Sequence, residues 1–170
     1  MRLLAIVLIT LLFSCKASEK ETLIGEKVKE QVEVLLEKTN PIEFTEIKSG
    51  QNSDYKKAQN LIITTQEEMD SAWMKMFGKY PRKPPIPMVD FETKQLLLVT
   101  MGEQANGGYT IEVSTIEKSI KGILVTIEDA KPGKACDNTS AITYPFQLIE
   151  MPKTEKEITF ARVSKINTCK

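Results

Sequence analysis

The sequence predicts an α+β fold: a mainly antiparallel β-sheet, arranged as a small barrel or a sandwich of about seven strands. One packed internal helix interrupts the strands, and an N-terminal helix precedes them. Three observations carry this. Apolar and polar residues alternate in short runs from Phe44 onward, the period of a half-buried strand. Only two stretches show apolar residues at three- and four-residue steps. The connections are short and rich in Gly, Asn and Pro, and no longer period repeats. The chain has 170 residues, 41% apolar and 27% charged, which suits a folded body rather than a disordered one.

Residues 21–39 have the pattern of an amphipathic helix, with Ile24, Val28, Val32, Leu35 and Leu36 between Glu and Lys, and Asn40-Pro41 ends it. Residues 44–47 form a first strand, 49–54 a turn and 61–64 a second strand. Thr65 followed by Glu68 has the form of a capping box. Met69, Ala72, Trp73, Met76 and Phe77 then share one helical face, and Gly78 suits the position just past the helix end. That spacing puts Trp73 in a core. Pro81, Pro84, Pro85 and Pro87 make a stiff connection that cannot be a central strand. Further strands are expected at 95–101, 109–116, 123–127, 144–151 and 158–163.

The N-terminus reads as an address. Arg2 is followed by residues 3–13, an uncharged run too short for a helix to cross about 30 Å of hydrocarbon but suited to a secretory signal. It ends in Ser14-Cys15, and polar sequence begins at Lys16. This resembles the lipobox of bacterial lipoproteins, in which the cysteine is acylated after cleavage. The resemblance implies a signal peptide at 1–14, a lipidated tether and helix at 15–40, and a domain at 41–170. It also implies a bacterial cell-envelope location, with Cys15 as the lipidation site.

Composition removes several classes of function. The chain contains no histidine, which excludes Ser-His-Asp and Cys-His nucleophile systems and His-ligated zinc hydrolases. Lys and Arg total 23 and Asp and Glu total 23, a balance unlike that of proteins binding nucleic acid through clustered cations. With Cys15 assigned to lipid, Cys136 and Cys169 are expected to pair as a disulfide in an exported protein. Closing that loop contributes about 3–4 kcal/mol in the chain-entropy account. No phosphate-binding glycine motif is present. Ser53 and Lys56 have the spacing of serine-lysine catalysis but sit in a turn, and Glu128, Asp129 and Asp137 lack calcium-loop spacing. No catalytic residue, metal or cofactor is expected, and the chain is read as a non-enzyme.

The best candidate site is the loop holding Asn106, Gly107, Gly108 and Tyr109. Glycine admits close approach of another backbone, and tyrosine offers a flat ring with a polar tip, a residue type enriched at interfaces. The plainer alternative is a hairpin turn made by Asn-Gly, with Tyr109 packing inward.

An ordered series of residues supports a family resemblance. It runs through Leu61-Ile62-Ile63, Glu67, Trp73, Val89-Asp90-Phe91 and Leu98-Val99-Thr100-Met101-Gly102. It continues with Gly107-Gly108-Tyr109-Thr110-Ile111, Pro132-Gly133, Cys136, Tyr144-Pro145-Phe146 and Cys169. Over this span the chain resembles the PrcB C-terminal domain family, named for a lipoprotein subunit of a bacterial surface protease complex. The resemblance implies a membrane-anchored, non-catalytic module that binds an envelope or secreted protein, a protease among the candidates, and helps to assemble or stabilise it. Two other readings stand beside it: a direct protease inhibitor using the Gly-Gly-Tyr loop, and an enzyme working through carboxylates.

Overall fold

The computed structural model describes residues 39–168. Eight strands and one helix follow along them: β1 (Asn40–Pro41), β2 (Thr45–Gly50), β3 (Ala58–Ile63), α1 (Gln66–Phe77), β4 (Lys94–Met101), β5 (Thr110–Lys118), β6 (Ile123–Pro132), β7 (Phe146–Pro152) and β8 (Ile158–Asn167). Cys15, Cys169 and the helix expected over 21–39, apart from its last residue, lie outside the described residues. The strands form two four-stranded sheets, ordered β1-β5-β6-β8 and β2-β7-β4-β3. Of the barrel and the sandwich, the sandwich is the arrangement found; among the described residues no sheet closes on itself.

Strand β4 sets the layering. Every residue after Lys94 is buried, so both faces of the strand are covered. Leu96 and Leu98 join Phe146, Leu148 and the helix residues Met69, Trp73, Met76 and Phe77 in one core. Leu97 and Val99 join Ile149 and Met151 with Val113, Ile116, Val125 and Ile127 of the other sheet in a second core. The result is three layers: helix, β2-β7-β4-β3 sheet, β1-β5-β6-β8 sheet. Each fully buried Leu contributes about 1.5–3 kcal/mol, so the apolar run 96–99 holds the two cores to a shared strand.

Phase errors in the alternation are absorbed by bulges. In β5 the register shifts between Val113 and Thr115, and Ile111, Val113 and Ile116 are all buried as a result. The extra residue turns Ile116 inward where strict alternation would have sent Thr115. Strand β2 shifts likewise between Glu46 and Lys48.

Two expectations need correction, on Gly78 and on the Gly107-Gly108 loop, and two strand pairings add to the expected picture. Asn40-Pro41 pairs antiparallel with Lys118 and Glu117 of β5, at a sheet edge where a proline without an N–H is tolerated. Gly78 is right-handed (φ −57°); its need for glycine is the nearness of the Met74 carbonyl, 2.8 Å from where a Cβ would sit. β4 and β5 lie in different sheets, so the Gly107-Gly108 loop is a crossover between layers and not a hairpin turn. β6 and β8 are parallel over Ile123–Pro132 and Ile158–Asn167, because β7 intervenes in the other sheet.

The helix begins at an N-cap. Thr65 Oγ1 accepts from the Glu68 N–H at 3.2 Å, while the Glu68 carboxylate accepts from the Thr64 N–H at 2.8 Å and the Thr64 hydroxyl at 3.2 Å. The reciprocal bond thus reaches one residue further back than a standard capping box. At the other end, Trp73 Nε1 donates to the Pro84 carbonyl at 3.0 Å, tying the proline connection to the helix. Thr65→Ala should lower the unfolding free energy by about 1 kcal/mol. Denaturant midpoints compared at equal slope will measure the loss.

Candidate functional site

Three connections converge at one end of the sandwich: 51–57 between β2 and β3, 102–109 between β4 and β5, and 133–145 between β6 and β7. Backbone bonds join them. Gln104 and Thr143 exchange N–H to carbonyl bonds of 2.8 and 3.0 Å, and the Gly107 N–H donates to the Thr139 carbonyl at 2.9 Å. The Glu103 N–H donates to the Lys56 carbonyl at 3.1 Å, and the Ser53 N–H to the Tyr144 carbonyl at 3.3 Å. Thr143 Oγ1 donates to the Asn106 carbonyl at 2.9 Å. The candidate loop is therefore pinned along its length.

Each glycine here answers to this chain's own packing. A Cβ on Gly107 would sit 2.5 Å from Thr139 Oγ1. Gly108 has φ +85°, and a Cβ there would collide with Asn138 Oδ1 and lie 3.0 Å from Pro132 Cβ. The close approach that the glycines permit is made by residues 138–139, and Gly108→Ala is not a silent surface change. Tyr109 is half-buried against the core between the sheets. Asn106 is half-buried too, and its Oδ1 is shielded from solvent with no protein partner. Exposed residues at this end include Asn52, Asp54, Lys56, Glu103, Ala105, Gly108 and the stretch 139–142, where Ile142 keeps 53% of its surface.

Sequence reasoning missed the cluster beside that stretch. Tyr144 Oη donates to Glu103 Oε2 at 2.9 Å. Lys79 Nζ lies 4.0 Å from the centre of the Tyr144 ring and 3.2 Å from Asp54 Oδ1. Asn52, Lys79, Tyr80, Pro81, Ile142 and Tyr144 line a shallow hollow of about 330 Å³. The one available signal was Ile142 followed by Tyr144-Pro145, an apolar pair ahead of a proline that cannot continue a central strand. Hydrogen bonding to Glu103 raises the Tyr144 phenol above its ordinary value, with smaller contributions from desolvation and from the charges of Glu103 and Asp54.

The other sequence candidates are occupied structurally. Ser53 is fully buried, and its Oγ donates to the Tyr144 carbonyl at 3.0 Å and receives the Tyr55 N–H at 3.3 Å. Lys56 is exposed. Glu128 pairs with Lys165, and Asp129 pairs with Arg162 at 3.0 Å. Among the described residues no three Cys, Asp or Glu side chains are placed to hold a metal ion. Cys136 is disulfide-bonded, and its Sγ lies 3.5 Å from the Asn167 carbonyl.

Residues 96–152 match the PrcB C-terminal family. The match runs from Leu96 in β4 to the end of β7, so it contains the Gly107-Gly108 crossover and the 133–145 connection that pins it. The resemblance carried by the residue series is borne out over this segment. Helix α1 and strand β8 fall outside the matched PrcB segment. No curated protein and no solved structure matches the chain significantly.

The Tyr144–Glu103 bond has a pH signature. A phenol raised above its unfolded value contributes stability that is complete below the unfolded pKa and is lost as pH rises through the folded one. Glu103→Gln should bring Tyr144 back down towards its ordinary value of about 10. The phenolate absorbance of Tyr144, isolated by difference against Tyr144→Phe, will follow it.

Proposed function

We propose that this chain is a lipid-anchored, non-catalytic protein-binding module of the bacterial cell envelope. Its loop end meets an envelope or secreted protein, a protease complex in the reading suggested by the PrcB C-terminal match. Asn106, Gly107, Gly108 and Tyr109 form the frame of that surface, and Ala105 and Ile142 are its exposed points. One observation supports the reading: the 102–109 loop is braced by two other connections, and Ala105 on it and Ile142 on the adjoining connection stay exposed. A pre-ordered loop loses little conformational entropy on docking, which favours recognition. Cys15 acylation tethers the domain, and tethering raises local concentration, so even a weak contact serves.

A second reading rests on the same rigidity. An inhibitor that inserts a loop into a protease cleft also needs that loop ordered beforehand. A panel of proteases separates the two readings, since an inhibitor lowers turnover and an assembly factor does not.

Crosslinking in cells tests the surface. Ala105→Arg puts a long cation at an exposed position that the fold does not use. The variant should keep its thermal midpoint and lose at least tenfold of the captured partner; undiminished capture would remove the loop from the interface. Fatty-acid labelling tests the anchor. The wild type should incorporate label and Cys15→Ala should not, and equal labelling of both would end the lipoprotein assignment.

A further inference from the structure

Among the described residues, strand β8 is a sheet edge with an open outer side. It is ten residues long, pairs on one side with β6 in unbroken parallel register, and meets no other strand among the described residues on its outer side. Proteins blunt such edges with short strands, prolines or bulges. Of the other edges, β1 has two residues and Pro41 and β2 is bulged, while β3 has six residues against ten in β8. Strand β8 contains no Pro, no Gly and no register shift. Its cations would ordinarily guard it, but Lys165 is paired with Glu128 and Arg162 with Asp129, both on β6. Arg162 also donates to Asn60 Oδ1 at 2.6 Å and to the Thr100 carbonyl at 3.0 Å, so it points across the sandwich and not along the edge. Two apolar side chains stay exposed on the strand, Val163 at 45% and Ile166 at 73%.

We propose that β8 pairs with β8 of a second copy of this chain, antiparallel and centred on Val163, continuing the β1-β5-β6-β8 sheet through a two-fold axis. The sequence of the strand is complementary to itself in that register. Val163 meets its symmetry mate. Phe160 and Ile166 face each other twice, on the same side of the sheet, and this covers the most exposed apolar residue of the strand. Arg162 meets Ser164 and Lys165 meets Ala161, so no cation opposes a cation. Directly opposed apolar pairs are the stabilising unit of antiparallel sheets, and directly opposed like charges are the penalty. A symmetric edge pairing also satisfies the isologous geometry of a two-fold dimer. The pairing uses none of the loop residues of the proposed binding surface, so the two readings stand or fall separately.

Disulfide trapping in the full chain tests it. Val163→Cys places two thiols at the axis, where opposed Cβ atoms lie about 4.5–5.5 Å apart. Thr159→Cys is the control, since in this register its two thiols are about 26 Å apart along the strand. Mild oxidation should give at least tenfold more covalent dimer from Val163→Cys than from Thr159→Cys or the wild type. Val163→Lys should raise the dissociation midpoint of the wild-type dimer at least tenfold in sedimentation. Equal trapping of the two cysteine variants, or a wild type that stays monomeric throughout, would overturn the proposal, including the case in which another protein's strand occupies the edge.

Discussion

The burial of β4 on both of its faces is the constraint from which the rest of the domain follows. An antiparallel sheet commonly keeps one face wet. Here the run Leu96-Leu97-Leu98-Val99 is fully buried, with alternate residues directed to opposite cores. One face demands a helix and the other demands a second sheet. The helix must carry a broad apolar face, which Met69, Ala72, Trp73, Met76 and Phe77 provide. The second sheet must present β-branched residues inward, as Ile111, Val113, Val125 and Ile127 do. Replacing the centre of β4 with an alternating strand would leave one layer without a partner.

The loop end inherits its geometry from that layering. A chain leaving β4 for the second sheet has to step across the sandwich, and a chain leaving β6 for β7 has to step back. The two crossings meet, and the Gln104–Thr143 pair and the Gly107–Thr139 bond record the meeting. Glycine is needed where they touch because Asn138 and Thr139 occupy the volume of a side chain. The same two residues that marked the loop as a candidate site are thus explained by packing. On the outer rim Ala105 and Ile142 are exposed beside the Tyr144 ring with Lys79 across it, and the proposed binding surface takes its contact points from these. This separates the frame of the surface from its contact points.

What could be read in the sequence was local, and what could not was long-range. The face shared by Trp73 and Met76 needed only helical spacing, and the helix appears at Gln66–Phe77 as that spacing predicts. Strands β5 and β6 follow from alternation and β4 from its continuous apolar run, although β2, β5, β6 and β8 each run beyond the expected end. Alternation says nothing of which strand lies beside which, so the parallel pairing of β6 with β8 was illegible. Asn-Gly is a strong hairpin signal, and it misled because its flanking strands go to different sheets. Arg162 looks like any polar residue of an edge strand. Its partners Asp129, Thr100 and Asn60 are 33, 62 and 102 residues away, and no spacing rule reaches so far. In the candidate site, inward packing of Tyr109 was one of two readings open from the sequence, whereas the Tyr144–Glu103–Lys79 cluster depends on the meeting of separate connections.

The parallel pair also explains why β8 has no described strand on its outer side. Two parallel neighbours cannot be joined by a tight hairpin and need a crossover. Here the crossover is itself a strand, β7, spent in the central layer against β4 and β2. The chain therefore returns to the outer sheet last and from outside, and β8 lands beside β6 with no described strand following it in the sheet. A hairpin partner would have covered its outer side. The clasp from Arg162 to Thr100 and Asn60 then ties β8 to the central sheet on its inner side. An ordered edge is a better template for strand pairing than a frayed one, because less conformational entropy is lost when it pairs. The layering that buries β4 thus leaves β8 as an outermost strand among the described residues, held on its inner side by Arg162 and with no described strand on its outer side.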